Sequence, residues 1–466
     1  MMALGPWALL VMACGSPDPG QGRDTQDPGN DPASWDVGLA PPPPAPSSKL
    51  TFTGPPPRNL LVLSIDTLRR DKVSRYGGGT QSPFLDGLLE QSLVLDDHRS
   101  CSNWTYASLL CLFTGQSTVD LQVEPVGNRP DAYKDQATIP PEDLEGLAHW
   151  LRDAGFVTRL VSTTRFLDGE KVPGTGFQSV HKEEDADAER VSALALEATE
   201  ALLEQEDPWY LHVHYRDPHF PYSAPSDFEE GLSELEPSGY ALTNQAGINA
   251  LEADWEGLSE EAQALVIAWL SGLQDAEIRY LDHHLSALWA ELEALGALED
   301  TLVVFVSDHG EQFFEHGGLM HYTDLFAEEA AALGAFWSRN LVPHAYAGPT
   351  NHTDLAPGVL EALGVPVPAS VTGLTPGTRR AGLPRHAFFG PPGIGHGPYN
   401  TVDLDGYRLH YDWAGRLELY DLRTDPAEQD DLYGERDTML LEWYLGAEVE
   451  RTQAYVTWAT PEGLDR

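Results

Sequence analysis

Basic residues are scarce in this chain of 466 residues. Lysine and arginine together number 28, against 73 aspartates and glutamates, which gives a formal net charge of −45 at pH 7. A surface this negative repels nucleic acid and anionic lipid, because both are polyanions. We interpret the acidity as an aid to solubility or an adaptation to a salty medium, rather than as an acidic binding face. Nucleic acid is therefore excluded as a partner, and an anionic substrate would need a metal ion or local cations.

Cysteine is also rare, with three residues in the whole chain. Cys14 ends a short apolar leader, while Cys101 and Cys111 lie on either side of Thr105. The latter two could pair in an oxidising exterior, although a separation by about one turn of helix is awkward for a disulfide. Two buried free thiols are an equally good interpretation, and the sequence leaves both open.

Long apolar runs are missing after the first residues. The leader MMALGPWALLVMACGS resembles a bacterial lipoprotein signal with Cys14 as the lipidated residue, although the usual basic residues before the apolar run are absent. A short hydrophobic leader of no consequence is the alternative. No later run reaches the roughly 18–20 residues that a membrane-spanning helix needs. We therefore predict an exported protein, periplasmic or at the cell surface, whose membrane contact is a lipid anchor at Cys14.

The segment after the leader has few hydrophobic side chains. Residues 15–57 are rich in Gly, Pro, Asp and Ser, and they include APPPPAPSS. Such a composition cannot bury enough apolar surface to offset the entropy lost on ordering. The sequence therefore predicts a signal segment over residues 1–14, followed by a disordered, semi-rigid tether over residues 15–57.

Apolar runs of strand length do occur, and polar residues follow them. RNLLVLSID ends at Asp66, TLVVFVSDHGE leads into Asp308 and His309, and WYLHVHYRDPHFPY leads into Asp217 and His219. Near-continuous apolar runs are typical of buried parallel strands, and patterns of helical period lie between these runs. The sequence predicts an α/β sandwich with a mainly parallel central sheet. Since sites in such sheets form outside the carboxyl ends of the strands, these polar residues should converge on one edge.

The pattern changes after about Leu383. HAFFG, YNTVDLDGYRLHYDW and GRLELYDL are typical of short strands joined by tight turns. The last periodic segment, RDTMLLEWYLGAEVERTQAYVTWA, predicts a helix that packs across those strands. We therefore expect a main α/β domain over residues 58–382 and a small antiparallel subdomain with a terminal helix over residues 383–466.

Asp66, Asp308 and His309 are suitable ligands for one divalent cation. Carboxylate oxygens combined with imidazole favour zinc or manganese, with calcium or magnesium as alternatives. Taken alone, the pair Asp308-His309 is better explained as a capped helix start with a hydrogen-bonded histidine. The metal interpretation gains weight because Asp66 ends a neighbouring strand.

The stretch CSNWTYASLLCLFTG allows two roles for Thr105. Threonine at the start of a helix is a common N-cap. A helix N-terminus also favours a bound anion, and a hydroxyl coordinated there by a metal would ionise more easily and could attack phosphorus or sulfur. Because suitable metal ligands accompany it, we favour the nucleophile and include Thr105 among the metal ligands.

Two histidines are candidates for the rest of the chemistry. His219 and His321 could contact the transferred group or protonate the leaving oxygen. For His321, an ordinary loop histidine is an equally good interpretation. Four other histidines are interpreted as weaker candidates or as structural residues: His316 and His352, and the strand residues His212 and His214, which share one face of their strand.

Several segments resemble, in their order, those of a known family. They are NLLVLSIDTLRRDKVSRYG, WTYASLLCLFTG, HYRDPHFPY, EDTLVVFVSDHGEQFFEHG, HTDLAPGVLEALGVP and GRLELYDLRTDPAEQDDL. Together they resemble the sulfatase family, within the alkaline-phosphatase-like superfamily, from Arg58 to about Tyr433. The resemblance implies an alkaline-phosphatase/sulfatase-like sandwich in which a small C-terminal antiparallel subdomain completes the site.

The resemblance also implies a role for each matching position. Thr105 occupies the place of the Cys or Ser that sulfatases oxidise to formylglycine. His219 falls on the histidine that contacts the substrate, and His321 on a lysine that assists the leaving group. The implied metal ligands are Asp66, Asp308 and His309, the same residues that the strand ends suggest.

Departures from the family pattern limit the reaction mechanisms that are open to this chain. Threonine is not a substrate for formylglycine formation, so the hydrated-aldehyde mechanism is excluded. The proline and arginine of the family signature are Ala107 and Leu109 here, and the second acidic residue of the family's Asp-Asp pair is Thr67. The remaining set resembles the single-metal site of phosphoethanolamine and lipoteichoic-acid transferases. It also resembles one zinc site of nucleotide pyrophosphatase/phosphodiesterases.

The sequence as a whole predicts a metal-dependent hydrolase of sulfate or phosphate esters. Thr105 would be the nucleophile, which favours phosphate mono- or diesters over sulfate esters. The expected substrate is a small anionic ester, either free or linked to a glycan or a lipid. The alternatives are a phosphoryl-group transferase resembling the phosphoethanolamine transferases, and a non-catalytic binding protein at the cell surface.

Overall fold

The computed structural model describes most of the chain after residue 49. The described residues are 50–117, 119–121, 144–164, 167, 176–229, 232, 240, 244–321, 323–375, 385–389, 399–412 and 414–459. The predicted signal segment, Cys14 and the tether as far as residue 49 lie outside them. The lipid anchor and the exported location therefore stay predictions.

Strands and helices alternate through the first three quarters of the chain. The strands are β1 (Asn59–Ile65), β2 (Leu93–Arg99), β3 (Val157–Ser162), β4 (Ser179–Lys182), β5 (Trp209–Tyr215), β6 (Thr301–Ser307), β7 (Gln312–Phe313), β8 (Leu319–Met320), β9 (Gly334–Trp337), β10 (His344–Asn351), β11 (Arg385–Phe389), β12 (Tyr399–Leu404), β13 (Tyr407–Asp412) and β14 (Leu417–Asp421). The α-helices are α1 (Pro83–Glu90), α2 (Thr105–Thr114), α3 (Leu147–Asp153), α4 (Ala188–Leu203), α5 (Gln245–Asp254), α6 (Glu260–Ala294), α7 (Ala327–Ala330), α8 (Leu355–Ala362) and α9 (Met439–Ala459).

The central sheet has eight strands in the order β10-β2-β9-β6-β1-β5-β3-β4. Only β9 runs antiparallel to its neighbours, and every other pairing within this sheet is parallel. The α/β class with a mainly parallel sheet is therefore confirmed. Strands β6, β1 and β5 lie side by side, so the three strand ends that carry polar residues do meet at one edge.

Strand β1 is mostly apolar because helices cover both faces of the sheet. Leu61, Leu63 and Ile65 pack into one core cluster, together with residues of α1, α4 and α6. Leu60 and Val62 pack into the other, together with residues of α2, α3 and α8. Each of these buried side chains contributes about 1.5–3 kcal/mol to folding. Alternation along the strand leaves the next polar residues, at positions 64 and 66, on the second face.

Helix α2 is short, and all ten of its residues are buried. It ends at Gly115, whose φ of 63° is a left-handed conformation that suits glycine. Cys101 and Cys111 form a disulfide, with their Cα atoms 6.8 Å apart. The pairing is possible because Cys101 lies in the loop before the helix, not on the helix itself, and the Cα separation is at the upper end of the usual disulfide range. Of the two alternatives, the structure therefore has the disulfide.

The C-terminal part forms a separate four-stranded antiparallel sheet, β11-β12-β13-β14. Helix α9 packs on it through Leu441, Leu445 and Val449, which share a core cluster with Leu409 and Leu419. This confirms the antiparallel C-terminal sheet and the helix across it. The domain boundary at residues 382 and 383 lies outside the described residues and stays a prediction.

The end of the predicted tether lies against the main domain. Phe52 forms an isolated antiparallel bridge with Leu341, and the Thr53 amide donates to the Asn340 carbonyl over 2.8 Å. Leu50 and Phe52 are apolar, and they pack on the core. The disorder predicted for residues 15–57 therefore does not extend to residues 50–57. Among the described residues, no helix is both long and apolar enough to cross a membrane.

A candidate metal centre at the carboxyl edge of the sheet

Three potential ligands meet where β1 and β6 end. Asp66 follows β1, and Asp308 and His309 follow the neighbouring strand β6. One ligand atom from each lies within 4.8 Å of the other two, and all three side chains are buried. The register of the two strands places these residues together, because Ile65 lies opposite Ser307. Within the described part of the chain, no second group of this kind is found.

Thr105 lies at the same point, at the first residue of α2. Its Oγ1 is 3.4 Å from Asp66 Oδ1 and 3.3 Å from His309 Nε2. The N-cap of the helix is Trp104, and the cap carries no side-chain hydrogen bond. The capping interpretation of Thr105 is therefore wrong, because its hydroxyl faces the acidic centre and not the backbone of the first turn.

The spacing of the donor atoms suits a shared cation better than direct hydrogen bonds. His309 Nε2 is 3.8 Å from Asp66 Oδ1 and 3.8 Å from Asp308 Oδ2, which is too long for a hydrogen bond. Asp308 Oδ2 is buried without a hydrogen-bond partner among the described residues. A buried carboxylate oxygen in that condition is costly, unless a cation satisfies it. The residues therefore fit a divalent ion.

Backbone groups hold two of the ligands in place. Asp308 Oδ1 accepts hydrogen bonds from the amides of Thr67 (3.1 Å) and His309 (2.7 Å), which leaves Oδ2 turned towards the centre. His309 Nδ1 donates to the carbonyl of Gly310 over 2.9 Å. That bond leaves the lone pair of Nε2 available to a metal, which is the usual arrangement for a ligating histidine.

The two carboxyl groups of the centre ionise with unequal ease. Burial alone would raise the pKa of Asp66, but the charges of His219, His214 and His309 hold it below its usual value. Burial and the charge of Asp66 raise the pKa of Asp308 well above its usual range. Since a divalent cation would favour ionisation of both groups, the ion and the proton on this pair should compete.

His219 and His321 both reach the centre. The His321 ring lies 4.7 Å from the ring of His309 and 5.1 Å from the ring of His219, centroid to centroid. Burial and the charge of His309 hold the pKa of His321 well below its usual value. Burial likewise lowers the pKa of His219, whose Nδ1 bonds the carbonyl of Phe220. Both predicted catalytic histidines therefore lie beside the candidate metal centre.

Glu311 also lies beside the centre, in contact with His321, but it was not among the predicted site residues. Its Oε1 lies 3.2 Å from His321 Nδ1, and its Oε2 accepts a hydrogen bond of 2.6 Å from the Tyr222 hydroxyl. It is fully buried. The signal in the sequence was its place in SDHGE, two residues after His309. His214 was missed as well: it was interpreted as structural, yet its Nε2 lies 3.7 Å from Asp66 Oδ2.

Three other polar residues do not join the centre. His316 stacks on Phe326 with 3.7 Å between ring centroids, and His352 Nε2 bonds the carbonyl of Ser307. Asp217 lies near Glu277, and burial, together with the charge and hydrogen bond of Glu277, raises the pKa of Asp217 well above its usual range. The sequence gave lower weight to His316 and His352, which fits these contacts. Asp217 was grouped with the other polar strand-end residues, and the structure instead places it against Glu277.

The sequence of this chain is similar to sequences of a known protein family. The sequence model of the Sulfatase family matches residues 58–365. The choline-sulfatase of Rhizobium meliloti is 25% identical over 372 residues, which cover 67% of this chain and 68% of that protein.

Solved structures of similar fold include the following two. One is a protein solved in complex with its substrate D-glucosamine-2-N,6-O-disulfate, with a TM-score of 0.64 and 16% identity over 86% of this chain and 98% of that one. The other is the phosphonate monoester hydrolase of Agrobacterium radiobacter, with a TM-score of 0.60 and 18% identity over 85% of this chain and 96% of that one. At these identities the structures support the fold alone.

Proposed function

Because the chain belongs to the sulfatase family of ester hydrolases, we propose that it cleaves sulfate or phosphate esters with Thr105 as the nucleophile. The observation that carries this proposal is the position of Thr105 Oγ1, between Asp66 Oδ1 at 3.4 Å and His309 Nε2 at 3.3 Å. A hydroxyl placed among metal-ligand candidates at a helix N-terminus is suited to attack an anionic ester.

The donor set suits one divalent cation held by Asp66, Asp308, His309 and the Thr105 hydroxyl. Two carboxylates with an imidazole favour zinc or manganese, while calcium and magnesium are alternatives. When bound, such an ion would lower the pKa of the hydroxyl and offset the charge of the ester oxygens. That contribution matters here because the chain carries a net charge of −45, which repels an anionic substrate.

Each residue around the centre has its own role in the reaction. Thr105 Oγ1 releases its proton to solvent and bonds to phosphorus, while the bond from phosphorus to the leaving oxygen breaks. His321 donates a proton to that oxygen, and His219 contacts the oxygens of the transferred group. An anionic ester beside His321 would raise its depressed pKa, which prepares the ring to act as an acid. Water then cleaves the bond between Thr105 and phosphorus and regenerates the hydroxyl.

One consideration favours phosphate over sulfate. Threonine excludes the formylglycine route by which sulfatases release sulfate, whereas a threonine ester of phosphate can be hydrolysed. Fold similarity does not decide between the two esters, because the similar structures include a phosphonate monoester hydrolase as well as a protein solved with a disulfated sugar. The complex with a glucosamine disulfate shows that a similar fold accommodates a charged saccharide. We therefore propose a phosphate mono- or diester, carried on a glycan or a lipid, as the substrate.

The test of this function is a panel of three chromogenic esters. We expect the purified full chain to hydrolyse nitrophenyl phosphate or bis-nitrophenyl phosphate at least tenfold faster than nitrophenyl sulfate. We also expect the rate to depend on added zinc or manganese. Preference for the sulfate ester would contradict the phosphate assignment. Negligible rates with a bound cation would favour a transferase that needs an acceptor, and negligible rates with no cation would favour a binding protein.

The disulfide supports the proposed export, because disulfides persist mainly in oxidising compartments.

We expect the double variant Cys101→Ala/Cys111→Ala to lose about 2.5–3 kcal/mol of stability, since the bond closes a loop with a sequence separation of 10. Thermal unfolding of the two proteins measures the loss. Alkylation with and without reductant, followed by mass spectrometry of the peptides, shows whether the native thiols are bonded. Labelling of both cysteines without reductant would contradict the bond.

A further inference from the structure

His214 lies deep in the sheet, at the level of Ser64 and therefore two residues below Asp66. It is on β5, and in the parallel pairing of β5 with β1 it stands opposite Ser64. Its side chain is fully buried. Ser64 and Asp66 are two residues apart at the end of β1, so both face the same side. The His214 imidazole therefore lies beneath the Asp66 carboxylate.

A chain of buried polar groups leads to this imidazole. Tyr210 Oη is 3.1 Å from His212 Nδ1, and His212 Nε2 is 2.7 Å from Ser64 Oγ. Ser64 Oγ is in turn 2.8 Å from His214 Nδ1. His214 Nε2 then lies 3.7 Å from Asp66 Oδ2 and has no hydrogen-bond partner among the described residues. A row of four polar side chains in an apolar core thus ends at a carboxylate of the metal centre.

The direction of the hydrogen bonds decides what His214 presents to Asp66. If Tyr210 donates to His212, then His212 donates to Ser64, and Ser64 donates its single proton to His214 Nδ1. His214 Nε2 then carries a proton that points at Asp66 Oδ2. In the reverse direction, a lone pair of Nε2 would face a carboxylate that is already ionised. The first direction satisfies each donor, and it puts an N–H opposite a negative oxygen.

We infer that His214 is a positioning residue of the metal centre, which holds Asp66 through Oδ2 so that Oδ1 is presented to the cation. The inference rests on the proposed function. Thr105 and His309 both approach Oδ1, whereas His214 approaches Oδ2. His214 therefore approaches a different oxygen of the carboxylate from Thr105 and His309. At 3.7 Å the contact between His214 Nε2 and Asp66 Oδ2 is electrostatic and longer than a hydrogen bond. Outer partners that orient a ligating carboxylate commonly change metal affinity 10- to 100-fold.

The test compares His214→Leu, His214→Gln and a matched control, His212→Leu, in the full chain. His212 is equally buried on the same face of β5, and its loss still leaves the Ser64 hydroxyl to bond His214 Nδ1. We expect His214→Leu to bind Zn²⁺ 10- to 100-fold more weakly in a chelator competition. His212→Leu should stay within threefold of wild type. His214→Gln, which retains an N–H donor, should recover most of the affinity.

Two further readouts separate positioning from other roles. The visible absorption bands of bound Co²⁺ should keep their wavelengths in His214→Gln, because the ligand set does not change. Melting of each protein in chelator shows how far the core is disturbed. Equal zinc affinities in His214→Leu and His212→Leu would overturn the inference, and so would shifted cobalt bands, which would make His214 a ligand. A wild type that binds no cation would overturn the proposed function as well.

Discussion

Replacing Thr105 by valine should abolish ester hydrolysis, with a fall in kcat of at least about 10³-fold. Valine has nearly the shape of threonine, so it keeps the packing of a residue that is 3% exposed while it removes the attacking oxygen. Cation binding should weaken but persist, because Asp66, Asp308 and His309 remain. The loss would therefore belong to the chemical step. The measurement is kcat for the preferred nitrophenyl ester at saturating cation.

Helix α2 supplies its own control for this experiment. Thr114 is a second buried threonine at the other end of the helix, where its hydroxyl donates to the carbonyl of Leu110 over 2.7 Å. Thr114→Val removes a hydroxyl from the same helix, so it should cost stability and leave kcat within a few fold. Equal rates in the two variants would remove Thr105 from the mechanism. A rapid acid quench of the wild type should also trap a phosphoryl group on the peptide that contains Thr105.

Thr105→Ser separates the hydroxyl from the rest of the side chain. Serine retains the attacking oxygen and loses a methyl group, so hydrolysis should persist at a reduced rate. A serine variant as inactive as the valine variant would mean that the methyl packing, and not the oxygen, is what the site requires. Together, Thr105→Val and Thr105→Ser show whether hydrolysis requires the hydroxyl oxygen of Thr105 or its methyl group.

The sheet and the metal ligands could be predicted because short stretches of sequence indicate each of them. An apolar run indicates a buried strand, and the polar residues that follow it indicate a site at the strand end. An apolar run such as that of β1 needs two covered faces, and parallel strands bring their carboxyl ends to one edge. That logic placed Asp66 beside Asp308 and His309 without any knowledge of the strand order. It also brought His219 to the same edge, since β5 is the other neighbour of β1.

The remaining features depend on contacts between distant parts of the chain. His214 alternates with His212 along a strand, and nothing local distinguishes the residue that reaches Asp66 from the one that stays in the core. The pairing of Cys101 with Cys111 depends on where α2 begins, and helix ends are hard to fix from sequence. The antiparallel direction of β9 and the contact between Glu311 and His321 are likewise tertiary.

The second large effect concerns Asp308, whose replacement by asparagine should stabilise the cation-free protein. Burial and the charge of Asp66 raise the folded-state pKa of Asp308 well above its ordinary value of 3.8. The unfolded chain therefore releases this proton first, so stability falls as pH rises above about 4. Asparagine avoids that cost and can still accept from the amides of Thr67 and His309. In chelator at pH 7, we expect a gain of about 2 kcal/mol, or a few degrees in Tm.

Asp66→Asn should have the opposite effect, which makes it the matched control. The pKa of Asp66 is lowered by the nearby histidines, in spite of its burial. Its ionised form therefore contributes stability above its ordinary pKa, and this contribution is lost as pH falls. In chelator at pH 7, the asparagine variant should melt below wild type. If both variants shifted Tm in the same direction, the unequal ionisation of the two carboxyl groups would be wrong.

Added cation should reverse the order of Asp308→Asn and wild type. A ligand at about 1,000 times its Kd stabilises the folded protein by about 4 kcal/mol, which exceeds the gain expected from the substitution. Wild type should therefore melt above Asp308→Asn in excess zinc and below it in chelator. A buried metal ligand should destabilise the cation-free fold and stabilise the fold once the ion is bound. The expected reversal of Tm is therefore the behaviour of a metal ligand. A wild-type Tm that zinc leaves unchanged would contradict this role for Asp308.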